Sequence, residues 1–397
     1  LVTVRPEDYV FEAIYKMAKH SIHRLVVVDD VGCLQGILTD TDVIALQTRT
    51  PLYFSREVEA AESVDDLRKV NQNILHMVRF AMRARAGTKD IVKLISHFND
   101  TITQRLIVLL ERVEGVRLPE GSAYLVLGSE GRREQTLRTD QDSAAVYADD
   151  LSPAAVQEVA RFSCRLVESL VEIGVPPCPG DTMASNPQWR RPLSEWLRAL
   201  EQWISILKPE HMVNFGMFQD LRTVHGDPSL EARLKEHILD TVKRNSLFLP
   251  YVARNIVRFP PPLGWFGRIR VERSGEHKGT VNLKKAGIFA VTEGVSLMAL
   301  EAGILDGSTW EKIEALAKKN AFPREELGRV DEAFTVLVQL RLTNQLRALA
   351  ARESPTNYLD PKRITLAEAE TLRGALTTVG SFLKSLRERY HLDYISR

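Results

Sequence analysis

AYLVLGSEGRREQTLRTDQDSAAVY, residues 123–147, is the segment from which the organisation of the chain follows. It opens with the apolar run Tyr124–Leu127 and closes with Ser143–Tyr147, a run of small and apolar residues. Both runs have the length and composition of buried β-strands. We therefore predict two strands joined by a polar loop.

The loop begins with a glycine-serine pair and continues with arginines. Gly128 permits close approach of the backbone to a ligand, and Ser129 adds a hydroxyl and an N–H group. Arg132 and Arg133 supply guanidinium groups, which bind phosphate oxygens in a bidentate manner. This combination predicts a phosphate-binding loop.

Two carboxylates precede the second strand. Asp140 and Asp142 are two residues apart, so strand alternation places their side chains on one face. They repel each other unless a cation lies between them, and oxygen ligands favour Mg²⁺ or Mn²⁺. Asp-x-Asp alone is common in surface turns. Beside a phosphate-binding loop, however, it predicts phosphoryl or nucleotidyl transfer.

The order strand, Gly-Ser, polar loop, Asp-x-Asp, strand resembles the nucleotidyltransferase superfamily typified by DNA polymerase beta. The fuller string GSEGRREQTLRTDQD, residues 128–142, resembles the protein-PII uridylyltransferase and its relatives, in particular the nucleotidyltransferase-like proteins that carry CBS domains. The resemblance implies that Asp140 and Asp142 bind the catalytic metal and that the Gly-Ser turn holds a nucleoside triphosphate. The residues expected to contact the nucleotide are Gly128, Ser129, Arg132, Arg133 and Thr139.

A third carboxylate is implied by the segment MFQDLRTVHGD, residues 217–227. In the superfamily, an acidic residue on a later strand completes the metal site. The resemblance therefore points to Asp220 as the third metal ligand and as the general base that activates the incoming hydroxyl. Arg222, on the same strand face, would bind a phosphate or hold Asp220. A structural Asp–Arg pair at a strand end is the alternative.

The string HRLVVVDDVGCLQGILTDTDVI, residues 23–44, predicts two strands joined by a turn and followed by a helix. It resembles a CBS domain, a module in which a Ser or Thr hydroxyl and an Asp three residues later contact an adenine nucleotide. Thr39 and Asp42 occupy those positions. Thr39 is equally suited to cap the following helix, with Asp42 at its third position. CBS domains normally work in pairs, and only one is recognisable in this sequence.

Composition indicates a soluble multidomain protein. A chain of 397 residues is long enough for two or three domains. Its 53 Lys and Arg balance 52 Asp and Glu, so net charge predicts no attraction to nucleic acid or to an acidic membrane. Three cysteines without disulfide or zinc spacing fit a reducing cytoplasm, and no signal peptide or membrane span is recognisable. Because the chain begins at Leu1, we take it to start inside a longer protein.

The remaining sequence is mostly helical. Apolar residues recur at helical spacing in Val64–Ala86 and Lys89–Val113, which predicts a helical hairpin that couples two units or forms a dimer interface. We predict a multidomain chain with α/β and all-α parts, and a cytoplasmic homodimer. Its units are a CBS domain at 1–54, a helical linker at 55–118, a polymerase-beta-like nucleotidyltransferase sheet with flanking helices at 119–228, and a helical substrate-binding domain at 229–397.

Several polar residues of the C-terminal helices are candidates for a cleft, although a solvated helix face would explain them equally well. They are Lys284, Lys285, Arg341, Gln345 and Arg347.

The leading hypothesis is a metal-dependent nucleotidyltransferase that uses Mg²⁺ or Mn²⁺ to transfer a nucleoside monophosphate to a protein or small-molecule hydroxyl. Pyrophosphate would leave, and the CBS unit would regulate the reaction. The alternative is a catalytically inactive scaffold that binds nucleotide. Nucleic-acid modification is less favoured, because no basic stripe interleaved with aromatic residues is present.

Overall fold

The computed structural model describes residues 2–40, 42–43, 51–137, 140–264 and 267–394. Helices make up most of this part of the chain, and small mixed sheets occur in its N-terminal and central units. The predicted combination of α/β and all-α units is confirmed. No helix among the described residues is both long and apolar enough to span a membrane.

The N-terminal unit is a small three-stranded sheet covered by one helix. Its elements are β1 (Thr3–Val4), α1 (Val10–His20), β2 (Arg24–Val28) and β3 (Leu34–Thr39). The strand order is β1-β2-β3, with β1 parallel and β3 antiparallel to β2. Leu25 and Met17 are buried between sheet and helix and form part of a separate small core.

Three helices connect this unit to the centre of the molecule. They are α2 (Pro51–Ala60), α3 (Val64–Arg83) and α4 (Thr88–Leu109), and a π-helical turn follows at Leu110–Glu114. Ser63 caps α3 by accepting a hydrogen bond from the N–H group of Asp66. The predicted hairpin is therefore present. It packs against the central sheet, because its buried residues share one core with Tyr124 and Val126.

The central sheet has four strands in the order β6-β5-β4-β7. They are β4 (Ser122–Val126), β5 (Ser143–Tyr147), β6 (Arg190–Pro192) and β7 (Arg222–Gly226). β4 is antiparallel to β5 and β7, and β5 is parallel to β6. Val126 lies opposite Ser143 on one side and Arg222 on the other. This register places the end of β4 and the starts of β5 and β7 at one edge.

Both faces of the central sheet are buried, as the alternation of side chains along a strand requires. Tyr124 and Val126 face the α3–α4 hairpin and the helix α6 (Pro153–Ile173). Ala123 and Leu125 face the opposite core, which includes Trp196 and Phe218. The helices of that side are α7 (Leu193–Ser205), α8 (Pro209–Phe218) and α9 (Pro228–Arg244).

The C-terminal part is a bundle of helices. Its elements are α10 (Phe248–Ile256), a π-helical turn (Lys284–Ile288), α11 (Phe289–Glu301), α12 (Thr309–Lys318), α13 (Arg324–Ala350) and α14 (Leu366–Arg389). A short pair of strands, β8 (Val281–Asn282) and β9 (Tyr358–Leu359), joins the start of the π-helical turn to the loop after α13. The bundle shares a core with the α3–α4 hairpin, so the two parts pack together.

Candidate active site

The Gly-Ser pair lies at the end of β4. Leu127 donates its N–H to the carbonyl oxygen of Asp142 at 2.8 Å, which extends the pairing of β4 with β5. Gly128–Gly131 then forms a four-residue helical turn where the sequence predicts a loop. Because the first N–H groups of a helical turn have no partner within it, those of Gly128 and Ser129 are available to a ligand.

Two glycines allow this turn to pack closely against its neighbours. Gly128 has a φ of +51°, and a Cβ atom there would lie 3.3 Å from Oδ2 of Asp142. A Cβ atom on Gly131 would lie 1.8 Å from the carbonyl oxygen of Asp220. The turn is therefore held between Asp142 and the backbone of Asp220, and neither glycine can be enlarged without displacing a neighbour.

Asp140 and Asp142 lie in the extended segment that leads into β5. Gln141, between them, pairs with Pro177 in an isolated parallel bridge. Both carboxylates line a cavity of about 750 Å³, and the Gly-Ser turn lines the same cavity. The structure thus brings the predicted phosphate-binding turn and the predicted metal-binding pair to one place.

The environment of Asp142 favours a bound cation. Burial raises the pKa of Asp142, and the charge of Asp140 raises it further, whereas a hydrogen bond from Cys178 and the charge of Lys284 oppose this. The net effect is a raised pKa. Since an uncompensated negative charge is unfavourable here, a cation bound between the two carboxylates would lower the free energy of the site.

Asp220 is placed differently from the expectation. It lies in the turn between α8 and β7 rather than on the strand, because helix α8 extends to Phe218 and β7 begins only at Arg222. Its carboxylate accepts hydrogen bonds from Arg132 and Lys312, one on each oxygen. Burial by itself would raise the pKa of Asp220, but these two cations hold it below its ordinary value.

The predicted three-carboxylate arrangement is not assembled in this conformation. Asp220 does not line the cavity that contains Asp140 and Asp142. Across the part of the chain that the structure describes, no group of three or more His, Cys, Asp or Glu side chains is placed to hold a metal ion. The role of Asp220 as a metal ligand and base stays a prediction.

Arg132 belongs to a buried ion cluster that joins the central unit to the C-terminal helices. We define the cluster as Arg132, Glu134, Asp220 and Lys312. Arg132 Nε donates to Glu134 at 3.0 Å, and Lys312 Nζ also donates to Ser296 Oγ at 3.1 Å. Glu134 in turn accepts a hydrogen bond from the backbone N–H of the first residue of α12. Arg132 therefore lines the cavity with its guanidinium already bound to carboxylates.

The other predicted contacts of the loop are less direct. Arg133 points into solvent, with 63% of its side chain exposed, and lies 3.9 Å from Asp100. Arg222 does not hold Asp220; it donates to Asp100 at 2.8 Å and to the carbonyl oxygen of Glu130 at 3.1 Å. Thr139 lies outside the described residues, so its predicted contact with the nucleotide has no structural counterpart here.

The C-terminal helices contribute cations to the cavity. Lys284, Arg341 and Gln345 line it, whereas Lys285 is exposed elsewhere and Arg347 pairs with Glu368. Burial lowers the pKa of Arg341 to about 10, and Asp140 opposes this shift. The structure thus separates these five C-terminal residues into two groups, and only three of them belong to the cavity.

Glu293 is a cavity residue that the sequence analysis missed. It lies on α11, accepts a hydrogen bond from Gln219 Nε2 at 3.3 Å and lines the cavity. Burial raises the pKa of Glu293 to about 7, with Asp220 raising it and Arg132, Lys312 and Lys284 opposing. A carboxyl group that titrates near neutral pH is suited to accept a proton. The sequence did hold a signal, because Glu293 is a charged side chain within the mainly apolar helix α11.

The rest of the cavity wall is largely apolar. It is formed by side chains from α8, α10, α11, α13 and the π-helical turn, among them Met212, Val252, Ile256, Ile288, Phe289 and Val338. Apolar walls with a few convergent polar groups are typical of small-molecule sites.

In the N-terminal unit, Thr39 and Asp42 bind each other. Thr39 Oγ1 donates to Asp42 Oδ2 at 2.7 Å, and Thr39 Oγ1 accepts from the Asp42 N–H at 3.1 Å. This reciprocal pair is the geometry of a helix cap. The predicted adenine-nucleotide contact would have to replace or extend these bonds, and it stays a prediction.

A glycine-serine turn and an Asp-x-Asp pair at one edge of a mixed sheet, closed by a helical bundle, define the nucleotidyltransferase-like class. Residues 72–210 match the family described as "Putative nucleotidyltransferase DUF294", and residues 246–390 match its "Putative nucleotidyltransferase substrate binding domain". Residues 1–48 match the CBS domain. The chain therefore belongs to the CBS-linked family of nucleotidyltransferase-like proteins. No curated protein matches the sequence.

Proposed function

We propose that this protein is a metal-dependent nucleotidyltransferase that transfers a nucleoside monophosphate from a nucleoside triphosphate to a hydroxyl group. The acceptor oxygen attacks the α-phosphorus, the bond to the β-phosphate oxygen breaks, and pyrophosphate leaves. The observation that supports the proposal is that Gly128, Ser129, Asp140 and Asp142 line one cavity. A phosphate-binding turn next to a carboxylate pair is what this chemistry requires.

The residues present fit a divalent cation. Asp140 and Asp142 offer hard oxygen ligands. Burial and the negative charge of Asp140 both destabilise the ionised form of Asp142. When bound to this pair, Mg²⁺ or Mn²⁺ would neutralise negative charge on the triphosphate. The backbone N–H groups of Gly128 and Ser129 would bind and orient the phosphates.

The proton of the acceptor hydroxyl needs a base. The sequence predicts Asp220 for this role. Both of its carboxylate oxygens bind cations, however, so Asp220 can act only after Arg132 or Lys312 releases it. Glu293 lines the cavity and has a pKa raised to about 7. In this conformation the geometry favours Glu293 as the proton acceptor.

The acceptor and the regulator follow from the remaining units. The apolar and cationic walls contributed by the C-terminal helices would bind the acceptor, which is either a small molecule or a side chain of a protein. The CBS unit would adjust the reaction through an adenine nucleotide at Thr39 and Asp42.

The direct test is incubation with labelled UTP, ATP, CTP and GTP and Mg²⁺ in a cell lysate, followed by detection of label and of released pyrophosphate. Asp140→Asn and Asp142→Asn should each reduce release about a hundredfold or more, because charge neutralisation contributes several kcal/mol. Asp150→Asn is the matched control, since Asp150 is exposed beyond the end of β5. Unchanged activity in both site variants would contradict the proposal.

A nucleotide-binding scaffold without activity is the second candidate. It is favoured by one observation, namely that Asp220 is bound to cations and does not join Asp140 and Asp142. Calorimetric titration with each triphosphate and Mg²⁺, combined with the pyrophosphate assay, separates the two candidates. Binding without release in lysate would establish the scaffold.

A further inference from the structure

Three polar residues of the C-terminal helices meet at one corner of the cavity. Arg341 and Gln345 are four residues apart on α13, so they project from the same face of the helix. Lys284 follows Leu283, whose N–H donates to the carbonyl oxygen of Asn357 at 2.9 Å. Since Arg341 Nε donates to Oδ1 of the same Asn357 at 2.7 Å, Lys284 starts next to Arg341. All three line the cavity.

The polar groups of this corner are incompletely bonded. Arg341 and Gln345 have only 7% and 1% of their surface exposed. Arg341 Nε donates to Asn357 at 2.7 Å, and Gln345 Oε1 has no partner. Within the described ranges, neither Arg341 nor Lys284 has a carboxylate at ion-pair distance. Buried polar groups without partners are costly, and such a group in a cavity wall indicates a ligand.

The corner and the predicted metal-binding pair line the same cavity. Asp140 acts favourably on Arg341, and both Asp140 and Asp142 act favourably on Lys284, through space rather than by contact. The wall of one cavity thus holds two carboxylates, Asp140 and Asp142, and two cations, Lys284 and Arg341. A ligand with negative charge on one side and a bound metal on the other would satisfy both pairs.

The chemistry of the corner specifies the ligand. The guanidinium and the ammonium are hydrogen-bond donors and carry a positive charge. The unpaired Oε1 of Gln345 is an acceptor, and rotation of the amide by half a turn places its N–H₂ donor there instead. A phosphate group matches them, because it presents several oxygens and close to two negative charges. We propose that Lys284, Arg341 and Gln345 form a phosphate-binding subsite that the C-terminal helices contribute to the cavity. This deepens the proposed function and rests on it. The phosphate belongs either to the nucleotide or to the acceptor.

The test measures phosphate binding without turnover. Tripolyphosphate with Mg²⁺ is titrated calorimetrically into wild-type protein and into Lys284→Met and Arg341→Gln. We expect the affinity to fall about tenfold or more in each variant, as loss of a hydrogen bond to a charged group predicts. Lys285→Met and Arg347→Gln are matched controls on the same elements and should bind as wild type, because neither residue lines the cavity.

A second titration identifies the source of the phosphate. If the variants bind tripolyphosphate normally but lose the binding of orthophosphate in the presence of a saturating, non-hydrolysable nucleotide, the subsite holds a phosphate of the acceptor. If both ligands bind all four variants and the wild type equally well, or if the wild type binds neither, the subsite does not exist.

The melting temperature of the Arg341→Met variant shows whether Arg341 binds a ligand or only stabilises the fold. Removing a buried cation without a carboxylate partner should leave the melting temperature of the ligand-free protein unchanged or raise it. A marked decrease would assign Arg341 a structural role and count against the subsite.

The subsite and the proposed function can fail separately. If tripolyphosphate binding depends on Lys284 but the protein never releases pyrophosphate, only the proposed function is overturned. Transfer by a protein whose variants bind phosphate normally would overturn the subsite alone.

Discussion

At the scale of single residues, two positions of the site have properties that can be measured, namely Gly128 and Glu293. Gly128 combines a positive φ with contact to Asp142, so both the backbone conformation and the space favour glycine. Glu293 lines the cavity, and burial is the main cause that raises its pKa to about 7. Each of these two properties leads to a measurement.

Gly128→Ala should impair the site more than the fold. The left-handed conformation costs an alanine about 1 kcal/mol, and the added Cβ atom would press against the carboxylate of Asp142. We expect a decrease of about 1–2 kcal/mol in the free energy of unfolding and a larger proportional loss of Mg²⁺-dependent nucleotide binding. Urea denaturation and calorimetry measure the two effects. Gly328→Ala, at a helical glycine with open space around its Cβ position, is the control.

Glu293→Gln should change how stability depends on pH. The pKa of Glu293 is about 7 in the folded protein, compared with an ordinary value of 4.5, so the folded state retains this proton while the unfolded state loses it. Stability of the wild type therefore falls through this group as pH rises from about 4.5 to about 7, and no further above that. A glutamine at this position has no proton to lose, so the variant does not show this loss of stability. At pH 8 the Glu293→Gln variant should be more stable than the wild type by on the order of 1–3 kcal/mol, whereas at pH 4.5 it should not be.

Urea denaturation at several pH values provides the measurement. Glu276→Gln, an exposed glutamate, should show no such divergence from wild type. A constant difference between Glu293→Gln and wild type across the pH range would mean that Glu293 is ionised normally in the folded protein.

At the scale of elements, helix α12 is attached through charged side chains to the segment that follows the Gly-Ser turn. Lys312 is 1% exposed and binds Asp220, while the N-terminus of α12 donates to Glu134. The ion cluster therefore fixes the C-terminal helices to the segment that follows the Gly-Ser turn. A bound ligand that displaces Arg132 from this cluster would change the contact between the two units.

Lys312→Met should strongly destabilise the protein. It leaves the buried carboxylate of Asp220 with one cation instead of two, and breaking a buried ion pair costs about 3–5 kcal/mol. Lys318→Met on the same helix removes only an exposed pair with Glu314 and should change stability by less than about 0.5 kcal/mol. Chemical denaturation compares the two.

The double variant Lys312→Met, Asp220→Asn should recover much of the loss, because no buried charge is then left uncompensated. If the double variant were no more stable than Lys312→Met, the loss would come from packing rather than from charge.

At the scale of the whole molecule, the cavity lies between the central unit and the C-terminal bundle. Gly128 and Asp142 come from the first, and Lys284, Glu293 and Arg341 come from the second. A ligand that contacts both sides binds only the folded, assembled protein. Binding should therefore stabilise both units together.

A non-hydrolysable nucleotide with Mg²⁺ should raise the free energy of unfolding by about 2.7 kcal/mol at a hundred times its dissociation constant. Hydrogen exchange should slow in peptides from 123–147 and from 281–345, with little change in 2–40. Asp142→Asn should abolish both effects at the same ligand concentration. Protection confined to 123–147 would show that the C-terminal helices do not contribute to the nucleotide site.

The sequence by itself determined the elements whose causes are local. The strands β4 and β5, the Gly-Ser pair and the two aspartates are contained in residues 123–147, and strand alternation is sufficient to place both carboxylates on one face. The helical hairpin and the N-terminal sheet follow in the same way from apolar periodicity.

Only the tertiary structure decided which distant side chains meet this segment. Asp220 binds Arg132 and Lys312, which are 88 and 92 residues away, and no local pattern encodes such pairs. Lys284 lines the cavity and its neighbour Lys285 does not, although both side chains are exposed, so the packing around the π-helical turn decides between them. Periodicity reports which face of an element is buried, whereas the identity of the groups buried against it depends on how the whole chain packs.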